Sequence, residues 1–334
     1  SAATTGEFNT SLGSSSMGTG VLTGDNNVAI GYNAGNQMTS GASNVAIGAF
    51  AGDSLTTGNS NVAIGVLALQ AEDSHGKNIA VGYQALATQN AGTDAFNVAV
   101  GFEAGKAITT GTHNTLMGGL AGDALTTGNF NVAVGYLALS TEDAHQCNVA
   151  IGTAALQHQN AGADGHNVAV GHDAGKFMTT GVQNTIVGST AGDALTTGTG
   201  NVALGYQALT TEDNHGYNTA IGWRALHTLN AGANGNNVAV GADAGLQMTT
   251  GYDNVVVGSL AGDALTTGIA NTAIGKDALG SSVDGDFNTA LGYKALEDYE
   301  DGDGNGHNTA VGARSQLNAT TGEFNTSVGS LSIG

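Results

Sequence analysis

Apolar and polar positions recur along this chain with a period near 17 residues. The stretch NVAIGYNAG at residues 27–35 returns as NVAIGAFAG from Asn44 and as NVAIGVLAL from Asn61. Aligned on Asn-x-x-x-Gly, the chain contains 19 copies, from Asn9 to Asn325. The commonest spacing is 17, and spacings of 19 precede Asn97, Asn167 and Asn237. The steps 17, 17, 17 and 19 make a super-repeat of 70 residues, four copies long. AGDSLTTG at Ala51 accordingly returns as AGDALTTG at Ala121, Ala191 and Ala261.

Each copy reads as one structural rung. Its Asn-Val-Ala-Ile run is short, β-branched and apolar, which predicts a strand. Gly closes the run in all 19 copies, as expected where the backbone needs an angle or a close approach that only Gly tolerates. Three residues later stands Ala in 16 copies and Ser in three (Ser16, Ser315 and Ser332), so that position faces a tight space. A polar stretch follows, often Thr-Thr-Gly, which predicts a turn. A unit this small cannot bury its apolar side alone, whereas stacked units can. The expected fold is therefore an all-β solenoid, a β-roll or β-helix of about 19 coils, with residues 1–334 forming one continuous array. At one strand spacing of about 4.8 Å per coil, that is a rod on the order of 90 Å.

Stacking places Asn27, Asn44, Asn61, Asn78, Asn97, Asn114, Asn131 and Asn148, and their later equivalents, in register, where amides can hydrogen-bond as a ladder. In NVAIG the branched residues and the Ala alternate, so both strand faces are apolar. One face lines the coil interior. The other needs a cover, and the chain offers no amphipathic helix for it. A second copy of the chain is the simplest cover, which predicts a homo-oligomer with cyclic symmetry.

Composition narrows the function. The chain has 55 Gly, no Pro, one Cys and 10% charged residues. Such a Gly content can mean disorder, but 40% apolar residues in strict periodicity argue for order. A formal charge of −20 repels nucleic acid and anionic membranes and attracts divalent cations. A single Cys excludes an internal disulfide framework, and no apolar run is long enough to insert in a bilayer.

The repeats NVAIGYNAG, NTAIGWRAL and NTALGYKAL resemble those of trimeric autotransporter adhesin heads, the YadA-like left-handed β-roll. They are more similar still to the NxAIG arrays of phage tail fibres and related bacterial surface proteins. The likeness covers nearly the whole chain. It implies a homotrimeric fibre, extracellular, on a cell surface or on a virion, that attaches to a receptor.

The candidate chemistry is local. In DYEDGDGNGHN, residues Asp301, Asp303, Asn305 and Gly306 match the start of a calcium loop, D-x-[DN]-x-[DN]-G. Gly312 stands where the closing Glu belongs, so the competing reading is an acidic turn. Glu-Asp-x-His recurs at Glu72, Glu142 and Glu212, and His75, His145 and His215 stack only every fourth coil, roughly 19 Å apart, too far to share one ion within a chain. Solvated loops are the expectation there. The Asp of each AGD (Asp53, Asp123, Asp193 and Asp263) is expected to cap a turn. Rings follow the strand Gly at Tyr32, Tyr83, Phe102, Tyr136, Tyr206, Trp223 and Tyr293. Ala, Ser, Lys and His share that position, which predicts exposure, for stacking on glycans or for packing between chains.

No catalytic set stands out. Every Ser, His and acid belongs to a repeated scaffold position, whereas catalysis calls for a singular one. Cys147 replaces Lys77 and Tyr217 at an equivalent loop position, which does not mark a nucleophile. Three further readings compete with an adhesive fibre. One is a self-assembling filament without a receptor, encouraged by the near-identity of TTGEFNTSLGSSSMG at Thr4 and TTGEFNTSVGSLSIG at Thr320. An ice-binding solenoid is weakened because Thr pairs mark mainly two coils in four. A glycan-degrading β-helix lacks a unique acidic cluster.

Overall fold

The repeated strand signal folds as three-residue parallel strands, one per coil. The computed structural model describes residues 5–18, 21–300 and 306–332. Nine strands, β1 (Thr10–Leu12) to β9 (Val149–Ile151), belong to a first compact unit ending at His166. Ten, β10 (Val168–Val170) to β19 (Thr326–Val328), belong to a second unit beginning at Asn167. Each unit is a parallel β-solenoid, and the described residues contain no helix. Equivalent residues pair from coil to coil, as in Val28 with Val45, Ala29 with Ala46 and Ile30 with Ile47.

Alternation along each strand sets what is buried. The middle residue faces the interior, and Ala29, Ala46, Ala63 and Ala80 are fully buried. The first and third residues, Val and Ile in most coils, face outward and are partly or fully exposed. The interior is completed by the Ala seven residues after each ladder Asn, by the Gly or Leu after it, and by the residue eleven after the Asn. Met38, Leu55, Ile108, Leu125, Met178 and Leu195 fill that last column.

The strand Gly behaves as its invariance within the chain requires. At all 19 positions φ lies between 128° and 147°, outside the range of L side chains. These glycines also stack on one another: a Cβ on Gly65 would lie 2.3 Å from the Gly82 carbonyl oxygen, and one on Gly205 would lie 2.3 Å from that of Gly222.

Side-chain size is matched across the interior in phase with the four-coil repeat. Leu116, Ile186 and Val256 are large residues at the inward strand position, and each shares its coil with Gly122, Gly192 or Gly262. A Cβ on Gly122 would meet the Leu116 Cδ2 at 2.8 Å, and one on Gly262 the Val256 Cγ1 at 2.9 Å. Ala63, Ala133, Ala203 and Ala273 instead share their coils with Leu69, Leu139, Leu209 and Leu279. Ala46 occupies the phase of Leu116 and shares its coil with Gly52. Ala46→Val is therefore expected to change stability by less than about 1 kcal/mol, and Ala63→Val, against Leu69, to cost about 1–3 kcal/mol through overpacking. Equal losses in denaturant titrations of the two variants would contradict this matching.

Candidate functional site

Three surfaces carry the chemistry: the Asn ladder, the exposed rings, and the Glu-Asp-x-His turns. In the first unit the Oδ1 of each ladder Asn accepts the backbone N–H of the Asn in the next coil. Asn27 accepts from Asn44 at 2.9 Å, Asn97 from Asn114 at 2.8 Å and Asn131 from Asn148 at 3.0 Å. Asn61 and Asn78 do the same, at 3.0 and 3.1 Å. In most coils the Nδ2 group donates to a turn carbonyl, as Asn44 does to Gly58 at 2.8 Å and Asn114 to Gly128 at 2.8 Å, whereas that of Asn78 donates to Glu72 Oε2 at 3.4 Å. The second unit repeats the arrangement from Asn167 accepting from Asn184 (2.9 Å) to Asn308 accepting from Asn325 (3.0 Å). The ladder thus runs mainly between side chain and backbone, where the sequence suggested amide against amide. Direct amide contacts are secondary and longer, 3.2 Å between Asn44 Nδ2 and Asn27 Oδ1. The buried Asn residues clamp strand to strand and, in most coils, strand to turn, a structural duty.

The rings after the strand Gly are exposed. Tyr32, Tyr83, Tyr136, Tyr206 and Trp223 show between 42% and 54% of their surface, and Phe102 and Tyr293 are exposed as well. Some rings are braced within the chain. Tyr83 stacks on Phe102 at 5.3 Å, and the Arg224 guanidinium lies 4.0 Å over the Trp223 ring while pairing with Asp243 at 2.8 Å. Tyr32 meets Phe50 edge to face at 5.2 Å. A second exposed column, missed in the sequence, runs just before the ladder Asn: Phe96, His113 and Phe130 stack at 5.3 and 5.1 Å. Phe287, His307 and Phe324 do likewise at 4.8 and 5.0 Å. The coil period alone lines these residues up, so their common phase was the available signal.

The Glu-Asp-x-His turns differ from expectation. Glu72, Glu142 and Glu212 are fully buried, not solvated. They sit eleven residues after a ladder Asn, the phase of Leu55 and Met38, so the solenoid interior takes them in. The carboxylate accepts the backbone N–H of the His three residues on, at 3.1 Å for His75 and His145 and 3.0 Å for His215. The imidazole Nδ1 of His145 lies 2.8 Å from Glu142 Oε1, and that of His215 3.2 Å from Glu212 Oε1. Burial raises the Glu72 carboxyl above its ordinary value, against the opposing His75 N–H.

The calcium-loop residues Asp301, Asp303 and Asn305 lie outside the described residues. The AGD aspartates Asp53, Asp123, Asp193 and Asp263 are half-buried, and burial raises each of their pKa values. The Asp123 Oδ1 is buried without a hydrogen-bond partner, which does not fit a turn cap. A carboxyl raised in the folded state contributes stability that is full below its ordinary value and is lost as pH rises through the folded value. The melting temperature is therefore expected to rise as pH falls from neutral toward 3.8, the ordinary Asp value. Asp73 and Asp94, held low by the Ser74 hydroxyl and the Lys77 ammonium, act in the opposite sense only near and below that value. Thermal unfolding across this window checks the sign, and a steady fall in melting temperature would contradict it. No protein-family model matches the chain, and no curated protein matches it.

Proposed function

We propose that the chain is a non-enzymatic structural fibre of a cell surface, the extracellular space or a virion. In this reading it is a homotrimer packed through the outward strand faces, and it attaches to a surface glycan or other receptor. The observation that carries the reading is the outer strand face. Val, Ile, Leu and Met recur there in every coil from Val28 onward in the first position, the third or both, and Met117, Leu204 and Leu291 expose 44%, 44% and 43% of their surface. Within each unit an apolar stripe of this kind marks an interaction surface rather than a solvated one. The same stripe repeated on identical chains makes self-association the economical cover. The resemblance of NVAIGYNAG and NTAIGWRAL to trimeric fibre repeats supports three chains. End-to-end growth into a longer filament is compatible with this assembly.

The adhesive part rests on the exposed rings. Tyr32, Tyr83, Tyr136, Tyr206 and Trp223 present flat apolar faces beside polar edges, the surface on which sugar rings stack. Two measurements test the reading separately. Val134→Lys with Ile151→Lys places two charges on the outer face and is expected to shift the assembly to monomers in size-exclusion light scattering. An unchanged mass would remove that face from the interface. Binding to a glycan array is expected to weaken at least tenfold in a Tyr136→Ala, Tyr206→Ala, Trp223→Ala variant. Absence of binding by the parent protein would sink the glycan role and leave a passive shaft.

A further inference from the structure

We propose that the three Glu-Asp-x-His turns are metal sites, each taking one first-row divalent cation of the zinc type. The inference is independent of the fibre reading. In each turn a Glu carboxylate oxygen, an Asp carboxylate oxygen and an imidazole nitrogen lie within 4.8 Å of one another: Glu72, Asp73 and His75; Glu142, Asp143 and His145; Glu212, Asp213 and His215. Zinc bonds to carboxylate oxygen and imidazole nitrogen are about 2.0–2.2 Å, so two donors of one tetrahedral ion stand about 3.4 Å apart. Nδ1 to Glu Oε1 distances of 3.9, 2.8 and 3.2 Å bracket that separation, so small side-chain adjustments bring both donors onto one ion. Rotation of the less buried Asp closes the remainder. One imidazole with two carboxylates suits zinc and its neighbours, while calcium takes oxygen donors alone.

Two observations separate these turns from ordinary acidic loops. The first is burial. Glu142 is fully buried and its Oε2 has no hydrogen-bond partner; the Oε2 of Glu72 and that of Glu212 each accept one long bond, from Asn78 Nδ2 at 3.4 Å and from the Ala231 N–H at 3.3 Å, and no Lys or Arg pairs with any of the three among the described residues. A buried carboxylate without a Lys or Arg partner is costly and calls for a cation. The second is the way the three residues vary together within the chain. The fourth equivalent turn is fixed by register: Thr266 N–H bonds to the Val283 carbonyl at 2.7 Å, as Thr56 does to Asp73, Thr126 to Asp143 and Thr196 to Asp213. There Ser282 stands for the Glu, Val283 for the Asp and Gly285 for the His. The His pairs with the Glu and would leave with it, but if Glu served only to accept the turn N–H and to hold the imidazole, the Asp, exposed at Asp143 and half-buried at Asp73 and Asp213, would have no reason to leave too. Their joint loss is what a shared ligand produces.

The test uses the whole chain, stripped with chelator and dialysed against Zn²⁺ alone, with bound metal counted per chain. Three ions are expected. The set His75→Gln, His145→Gln and His215→Gln should reduce the count to zero, and each single change should remove one ion. The set Asp73→Asn, Asp143→Asn and Asp213→Asn touches less buried side chains, so folding is retained, and it should weaken zinc affinity at least tenfold. Excess Ca²⁺ should not displace the zinc. Zinc binding that survives the His substitutions unchanged would mean scattered surface carboxylates. No binding would mean that the turns hold their buried Glu without a metal. Either result overturns the proposal.

Discussion

Gly118→Ala is expected to destabilise the protein by about 3–5 kcal/mol, combining left-handed backbone strain with overpacking. Gly118 has φ 137°, and an added Cβ would lie 2.5 Å from the Gly135 carbonyl oxygen and 2.7 Å from its carbonyl carbon. Both are backbone atoms of the next coil, which cannot turn aside as a flexible side chain would. The neighbouring Gly119 supplies the control. It has no positive φ, and its nearest obstacle is the edge of the Tyr136 ring at 3.5 Å. Gly119→Ala is expected to stay within about 0.5 kcal/mol of the parent. Urea titrations of the two variants measure the contrast. Similar midpoints would mean that the strand glycines are not required by geometry.

The second large effect is at the Asn ladder. Asn114→Ala removes the acceptor for the Asn131 N–H (2.9 Å) and the donor to the Gly128 carbonyl (2.8 Å), both in a buried setting. Each stranded group costs about 1–3 kcal/mol, so a loss of about 2–5 kcal/mol is expected. Asn114→Asp gives a sharper test. The acid keeps the acceptor but loses the donor, and near neutral pH it buries a charge. Its deficit should shrink as pH is lowered and the carboxyl protonates, while that of the Ala variant should stay nearly constant. Thermal melts of both variants across pH separate a hydrogen-bond role from a packing role. In a stack whose coils contact chiefly their neighbours, hydrogen exchange should quicken first in the coils of Asn97, Asn114 and Asn131.

The fold was legible because repetition exposes constraint within a single chain. Gly at 19 equivalent positions announced a backbone restriction, and φ at Gly13, Gly118 and Gly329 has that form. Asn at the strand start announced a ladder, although its reliance on backbone N–H groups follows from where Asn44 and Asn114 aim their amides. Local composition misled at Glu72, Glu142 and Glu212. Beside Asp and His in a polar turn they read as solvated, yet coil phase places them where Leu55 and Leu125 stand. Phase, not hydropathy, decides burial in a solenoid. The pairing of Leu116, Ile186 and Val256 with interior glycines was also written in the sequence, but it emerges only when residues six apart are known to share one interior. A receptor is legible in neither pattern, since the exposed rings define a surface chemistry and not a partner.

The central claim is that the outward strand faces are covered by copies of the same chain. Sedimentation equilibrium of the intact protein over a range of concentrations tests it most directly. The account predicts a mass three times the 32.8 kDa of one chain, persisting on dilution, with larger multiples only where trimers join end to end. A single species at the mass of one chain, with its Val and Ile stripe in water, would contradict it.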